Sequence, residues 1–143
     1  DIEGTSASLI TKMITGKFPA LPDIYFTVVD VRDVAKLHVQ ALTNHHSDHK
    51  RIIATSQKSI PFLEISEILR ELGFNKSPKR LVPTKLINTL GIFNKDMRST
   101  STMIKRGRYG ADISETISIF DWEPTPFKKT LEDMTVSLKT ILN

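Results

Sequence analysis

With 143 residues, 39% hydrophobic and 25% charged, the chain has the size and composition of about one ordinary globular domain with a buried core. It has no cysteine, which removes disulfides, thiolate catalysis and cysteine metal sites and fits a cytoplasmic protein. The net charge of +4 reads as spread along the sequence, denser at residues 76–80 and 105–108, without the concentrated basic stripe of a nucleic-acid binder; no run of about 18 apolar residues and no secretory segment occurs, so neither a membrane span nor export is expected.

In chain order, Thr5 or Ser6 can cap a first helix with Leu9, Ile10, Met13 and Ile14 on one face and Gly16 at its end. Pro19 and Pro22 then break the chain before a strand. That strand draws on Ile24, Phe26, Val28, Val29 and Val31, a β-branched and aromatic run suited to burial on both faces. Asp30 stands where a helix N-cap belongs and Asp33 is a capping-box-like partner, so both aspartates have a structural role available. Val34, Leu37, His38, Ala41 and Leu42 form the inner face of the helix that follows.

After the histidine loop, residues 51–54 are a short strand candidate. Ser59 and Pro61 open a helix that ends before Gly73. Leu81 and Val82 suggest a brief strand, and Pro83 starts a helix through Leu86, Ile87 and Leu90. Residues 93–110 are polar, basic and poorly patterned, which predicts a loop with at most one helical turn. Asp112 caps a helix through Ile117 and Phe120. In the last helix Phe127, Leu131, Met134, Leu138 and Ile141 step by four and three residues and make one apolar face. The class is α/β.

Motifs for chemistry are mostly missing. The six glycines do not form a nucleotide-binding turn after a buried strand, and Gly16-Lys17 runs into Phe18 and Pro19 rather than a phosphate loop. No serine sits in a Gly-x-Ser-x-Gly elbow. His45, His46 and His49 with Asp48 can be weighed as metal ligands or as solvated loop residues. His38 reads as a half-buried, hydrogen-bonded side chain or a base. Arg32 stands at the strand's end, where open α/β sheets bind ligands, although packing or surface solvation also accounts for it. The 105–108 run is either an anion holder or a solvated loop.

The segment FTVVDVRDVAKLHVQAL, followed by residues 51–54, the Glu64-Ile65 helix and the closing DWEPTPFKKTLEDMTVSL with Asp121, Trp122 and Pro124, resembles the C-terminal part of extended short-chain dehydrogenases/reductases. Within the NAD-dependent epimerase/dehydratase superfamily it is most similar to the dihydroflavonol reductase-like and aldehyde reductase-like branch. The resemblance covers nearly the whole chain, and its specificity lies in the combination of motifs.

The resemblance implies a C-terminal portion of a Rossmann-type α/β enzyme with a small, mainly helical substrate domain. Residues 1–60 would supply outer strands and helices of the Rossmann sheet with an interleaved substrate-domain helix, and residues 61–143 mostly the substrate-binding domain. The implied activity is hydride transfer from NAD or NADP to a small-molecule carbonyl, an aldehyde, ketone or dihydroflavonol-like compound, with a tyrosine as proton donor. The family's Gly-x-x-Gly-x-x-Gly loop and Tyr-x-x-x-Lys pair precede the segment matched here. Tyr25 is followed four residues later by Val29, and Tyr109 by Ile113, so no catalytic residue is expected in this chain.

Ser6 is the carried-over cofactor contact, with a helix cap as the competing role. Phe93, Met97 and Met103 are carried over as substrate-binding pocket walls, with small-domain core as the competing role. The implied partner is an N-terminal Rossmann portion or a partner chain, with a homo-oligomer open and no nucleic acid and no membrane. Beginning at Asp1 without methionine, the chain reads as a fragment or processed piece, inactive by itself. The alternative is a non-catalytic ligand-binding or protein-interaction domain on the same scaffold.

Overall fold

A computed structural model describes residues 5–142, with side chains from Ser6 to Thr140. The chain forms helix α1 (Thr5–Ile14), strand β1 (Tyr25–Phe26), helix α2 (Val31–Ala41), a 3₁₀ turn (His45–Ser47), strand β2 (Ile60–Pro61) and helices α3 (Phe62–Glu71), α4 (Thr84–Leu90), α5 (Lys95–Arg106), α6 (Ser114–Phe120) and α7 (Phe127–Leu142). It is a mostly helical domain with a two-stranded sheet, compatible with the mixed α/β class. β1 and β2 run antiparallel, Tyr25 opposite Pro61 and Phe26 opposite Ile60.

The larger core joins α1, β1, α3 and α7. Met13, Leu21, Leu69 and Leu131 are its most enclosed side chains, and Phe62 packs edge-on against Phe18 and Phe26. The apolar face anticipated for α7 meets this core through Phe127, Leu131, Met134 and Leu138, while the side chain of Ile141 lies outside the described set. A second core gathers Leu37, Ile113, Phe120 and Trp122 beneath α2 and α6. Gly16 closes α1 with φ of 76°, its amide on the Met13 carbonyl and that of Lys17 on the Lys12 carbonyl, a left-handed stop that glycine adopts without a Cβ clash.

Several expectations change. The predicted strand ending at Val31 keeps regular pairing only at Tyr25 and Phe26, and residues 51–54 are not a strand; two residues beyond them, the Ser56 amide bonds the Val28 carbonyl at 2.6 Å. A two-stranded sheet offers these β-formers no further ladder. Leu81 makes one parallel bridge to Leu21 rather than a strand. The loop expected over residues 93–110 contains the twelve-residue helix α5, capped by the Asn94 side chain on the amides of Asp96 and Met97 and stopped by Gly107 at φ of 63°. On α2, His38 and Leu42 are exposed rather than inward. His38 Nδ1 lies 2.8 Å from the Val34 carbonyl, a bond within its own helix.

Candidate functional site

The stretch 30–33 and the start of α7 are bound by a polar clamp. Asp30 caps α2 as anticipated: Oδ1 accepts from the Arg32 amide at 2.8 Å and from Arg32 Nε at 2.9 Å. Oδ2 accepts from Arg32 Nη2 at 2.6 Å and from Thr130 Oγ1 at 2.8 Å. Arg32 reaches on with Nη1 to Asp133 Oδ2 at 2.7 Å, and Lys129 donates to the other oxygen of Asp133. Asp30 is only 3% exposed, and its hydrogen bonds with Arg32 hold its carboxyl far below the usual carboxylate range against the opposing effect of burial. The Asp133 carboxyl is lowered by Lys129 first and Arg32 second, and the Arg32 guanidinium is raised chiefly by Asp30.

Asp33 departs from its capping-box role. Its Oδ2 accepts from the Thr125 amide at 2.7 Å and its Oδ1 from the Thr125 hydroxyl at 2.9 Å, so this buried carboxylate fastens the turn before α7. Sequence reasoning found Asp30, Arg32 and Asp33 but missed Thr125, Thr130 and Asp133. The available signal was the i, i+4 pair Lys129 and Asp133, which puts an acid on the α7 face that also carries Thr130.

Beside the clamp lies an apolar cleft of about 430 Å³. Ser6, Leu9 and Ile10 of α1 form one wall, Phe127, Leu131 and Met134 of α7 another, and residues 26–29 run along it. Thr130 belongs to both cleft and clamp. Among the described residues the main chain of Thr27 and Val29 has no hydrogen-bond partner.

Ser6 is exposed, in the first turn of α1 rather than at its cap, and borders this cleft; Gly4 before it lies outside the described residues. The cleft offers hydroxyls and main chain but no glycine turn and no cationic side chain among its lining residues. It therefore does not fit a dinucleotide pyrophosphate by itself. Phe93 is 88% exposed at the α4–α5 turn, Met97 is half-buried and Met103 is exposed. Six positions separate Met97 and Met103, which sets them about 120° apart around α5, and none of the three lines the cleft.

Tyr109 donates its hydroxyl to the Tyr25 carbonyl at 3.0 Å, and Arg108 stands over the Tyr25 ring at 5.5 Å. In the histidine loop, His45 Nδ1 is 3.1 Å from Asp48, and no group of three or more His, Asp or Glu side chains among the described residues is arranged to hold a metal ion. No helix among the described residues is long and apolar enough to cross a membrane. Comparison with protein-family models, with curated proteins and with solved structures found no match to this chain.

Proposed function

We propose that this chain is the C-terminal, substrate-domain part of a NAD(P)-dependent carbonyl reductase of the extended short-chain dehydrogenase/reductase kind, working together with an N-terminal Rossmann portion that carries the cofactor loop and the catalytic tyrosine and lysine. The observation that supports this most is the clamp. The stretch 29–35 and the closing segment 121–138 of the resemblance are joined by hydrogen bonds from Asp30, Arg32 and Asp33 to Thr125, Thr130 and Asp133, spanning 92 to 101 positions.

The cleft supports the same reading. Its open main chain at Thr27 and Val29 and its apolar walls offer what a larger sheet and its covering helix would need. In this reading Ser6, which borders the cleft, meets the cofactor at the boundary with the other portion, and Phe93, Met97 and Met103 lie away from this cleft. No step of hydride transfer is assigned to a residue of this chain.

The test is titration of the full-length polypeptide, and of residues 1–143 alone, with NADH and NADPH by fluorescence. Saturable binding by the full-length protein and none by the isolated chain is the expected result. Absence of binding by the full-length protein overturns the reading.

A further inference from the structure

The hairpin of α4 and α5 combines net basic charge with exposed apolar side chains. Lys85, Lys95, Arg98, Lys105 and Arg106 face only Asp96 in residues 84–106, so this segment carries a formal charge equal to the whole chain's +4 and the remainder is neutral. The charge that reads as spread along the sequence is, in net terms, localised here.

At the same place apolar side chains protrude. Leu86 and Leu90 lie one turn apart on α4 and are about half exposed, flanking buried Ile87, and Ile92 at 65% and Phe93 at 88% exposure form the tip. The tip is held in shape. Arg98 donates through Nε to the Gly91 carbonyl at 3.2 Å and through Nη2 to the Ile92 carbonyl at 3.3 Å, and Ser101 donates to Asn88 at 2.6 Å between the helices. A cation is thereby fixed beside the exposed apolar pair without further ordering.

We propose that this hairpin docks the protein peripherally on an anionic lipid bilayer, Ile92 and Phe93 entering the headgroup boundary while Lys85, Lys95 and Arg98 meet lipid phosphates and carboxylates. Stable peripheral anchoring takes two signals, here apolar insertion and basic charge, and both occur on this hairpin. Peripheral docking requires no spanning helix, and it replaces the sequence-based expectation of no membrane partner. A bilayer fits better than a peptide, because Ile92 and Phe93 are exposed at the turn between the helices and the cleft beside the clamp takes no residue from the hairpin. A second copy docking through the same face would bring two +4 segments together, which repels.

Sedimentation of the full-length protein with phosphatidylcholine vesicles, with and without phosphatidylserine, tests this. The expected result is binding to the phosphatidylserine vesicles alone, lost at high salt. Lys85→Gln and Lys95→Gln should each weaken it about fivefold, and Phe93→Ser about tenfold. Lys128→Gln, a cation paired with Glu71 outside the hairpin, should leave it unchanged. An unchanged thermal transition establishes that each variant is folded. Failure to sediment with anionic vesicles overturns the proposal, as does binding insensitive to Phe93→Ser and Lys95→Gln, or a dimer in light scattering that Phe93→Ser dissociates. None of these outcomes depends on cofactor binding.

Discussion

Asp30 accepts four hydrogen bonds, three from Arg32 and one from Thr130, in a place where water scarcely reaches it. Replacing it by alanine removes the cap of α2 and strands the Thr130 hydroxyl, so Asp30→Ala should cost about 3 kcal/mol in urea unfolding. The sign of the pH dependence follows from the lowered carboxyl. The unfolded chain takes up a proton near the ordinary value of about 4 while the folded chain does so only at far lower pH, so the contribution is complete above that value and is lost on acidification below it. Asp30→Asn should flatten the acid limb of a stability–pH curve; an unchanged limb would assign it to other carboxylates. Gly110 is constrained differently, because a Cβ there would stand 2.5 Å from the Gln57 carbonyl oxygen across the bridge to Lys58. Gly110→Ala should therefore destabilise by about 2 kcal/mol, measured in the same way.

Among the elements, α5 and α7 differ in what holds them. α7 buries Leu131 and Leu138 in the main core, whereas α5 has no fully buried residue and is held by α4, its Asn94 cap and the half-buried Ile104, which packs against the main core. Amide exchange should accordingly open α5 at a lower free energy than α7, and Asn94→Ala should lower that local value by about 1 kcal/mol with little effect on α7. The same contrast governs what the sequence made legible. α7 was readable because its apolar steps repeat over four turns, and α2 because Asp30 caps it. In α5, Met97 and Ile104 are the only apolar residues on the inner face, with Thr100 and Ser101 between them, so periodicity was too weak, although Asn94, Asp96 and Gly107 carried readable start and stop signals. The partners of Asp33 and Arg32 were hidden because contacts across about a hundred positions leave no local pattern, and the strand-like run at 51–54 misled because β-propensity becomes a strand only where a neighbour supplies the ladder.

On the scale of the whole molecule, the small sheet and the apolar cleft belong to one imbalance. Thr27, Val28 and Val29 are β-branched and extend beyond β1, yet of the three only Val28 has main-chain bonds among the described residues, accepting from Ser56 and donating to its hydroxyl at 3.0 Å. Unpaired main chain beside apolar walls is a costly surface to leave in water and a ready edge for another strand. If an N-terminal portion completes the sheet here, the amides of Thr27 and Val29 should exchange rapidly in the isolated chain and become protected in the full-length polypeptide. Protection should extend to Leu131 and Met134 as side-chain methyl signals that shift on the same transition, since they line the cleft the added portion would cover. The clamp should behave otherwise, because its Asp33–Thr125 and Asp30–Thr130 bonds lie wholly within this chain and need no added portion. Equal exchange at Thr27 and Val29 in the two proteins, with the Leu131 and Met134 signals unmoved, would mean that the edge is not where the rest of the polypeptide docks.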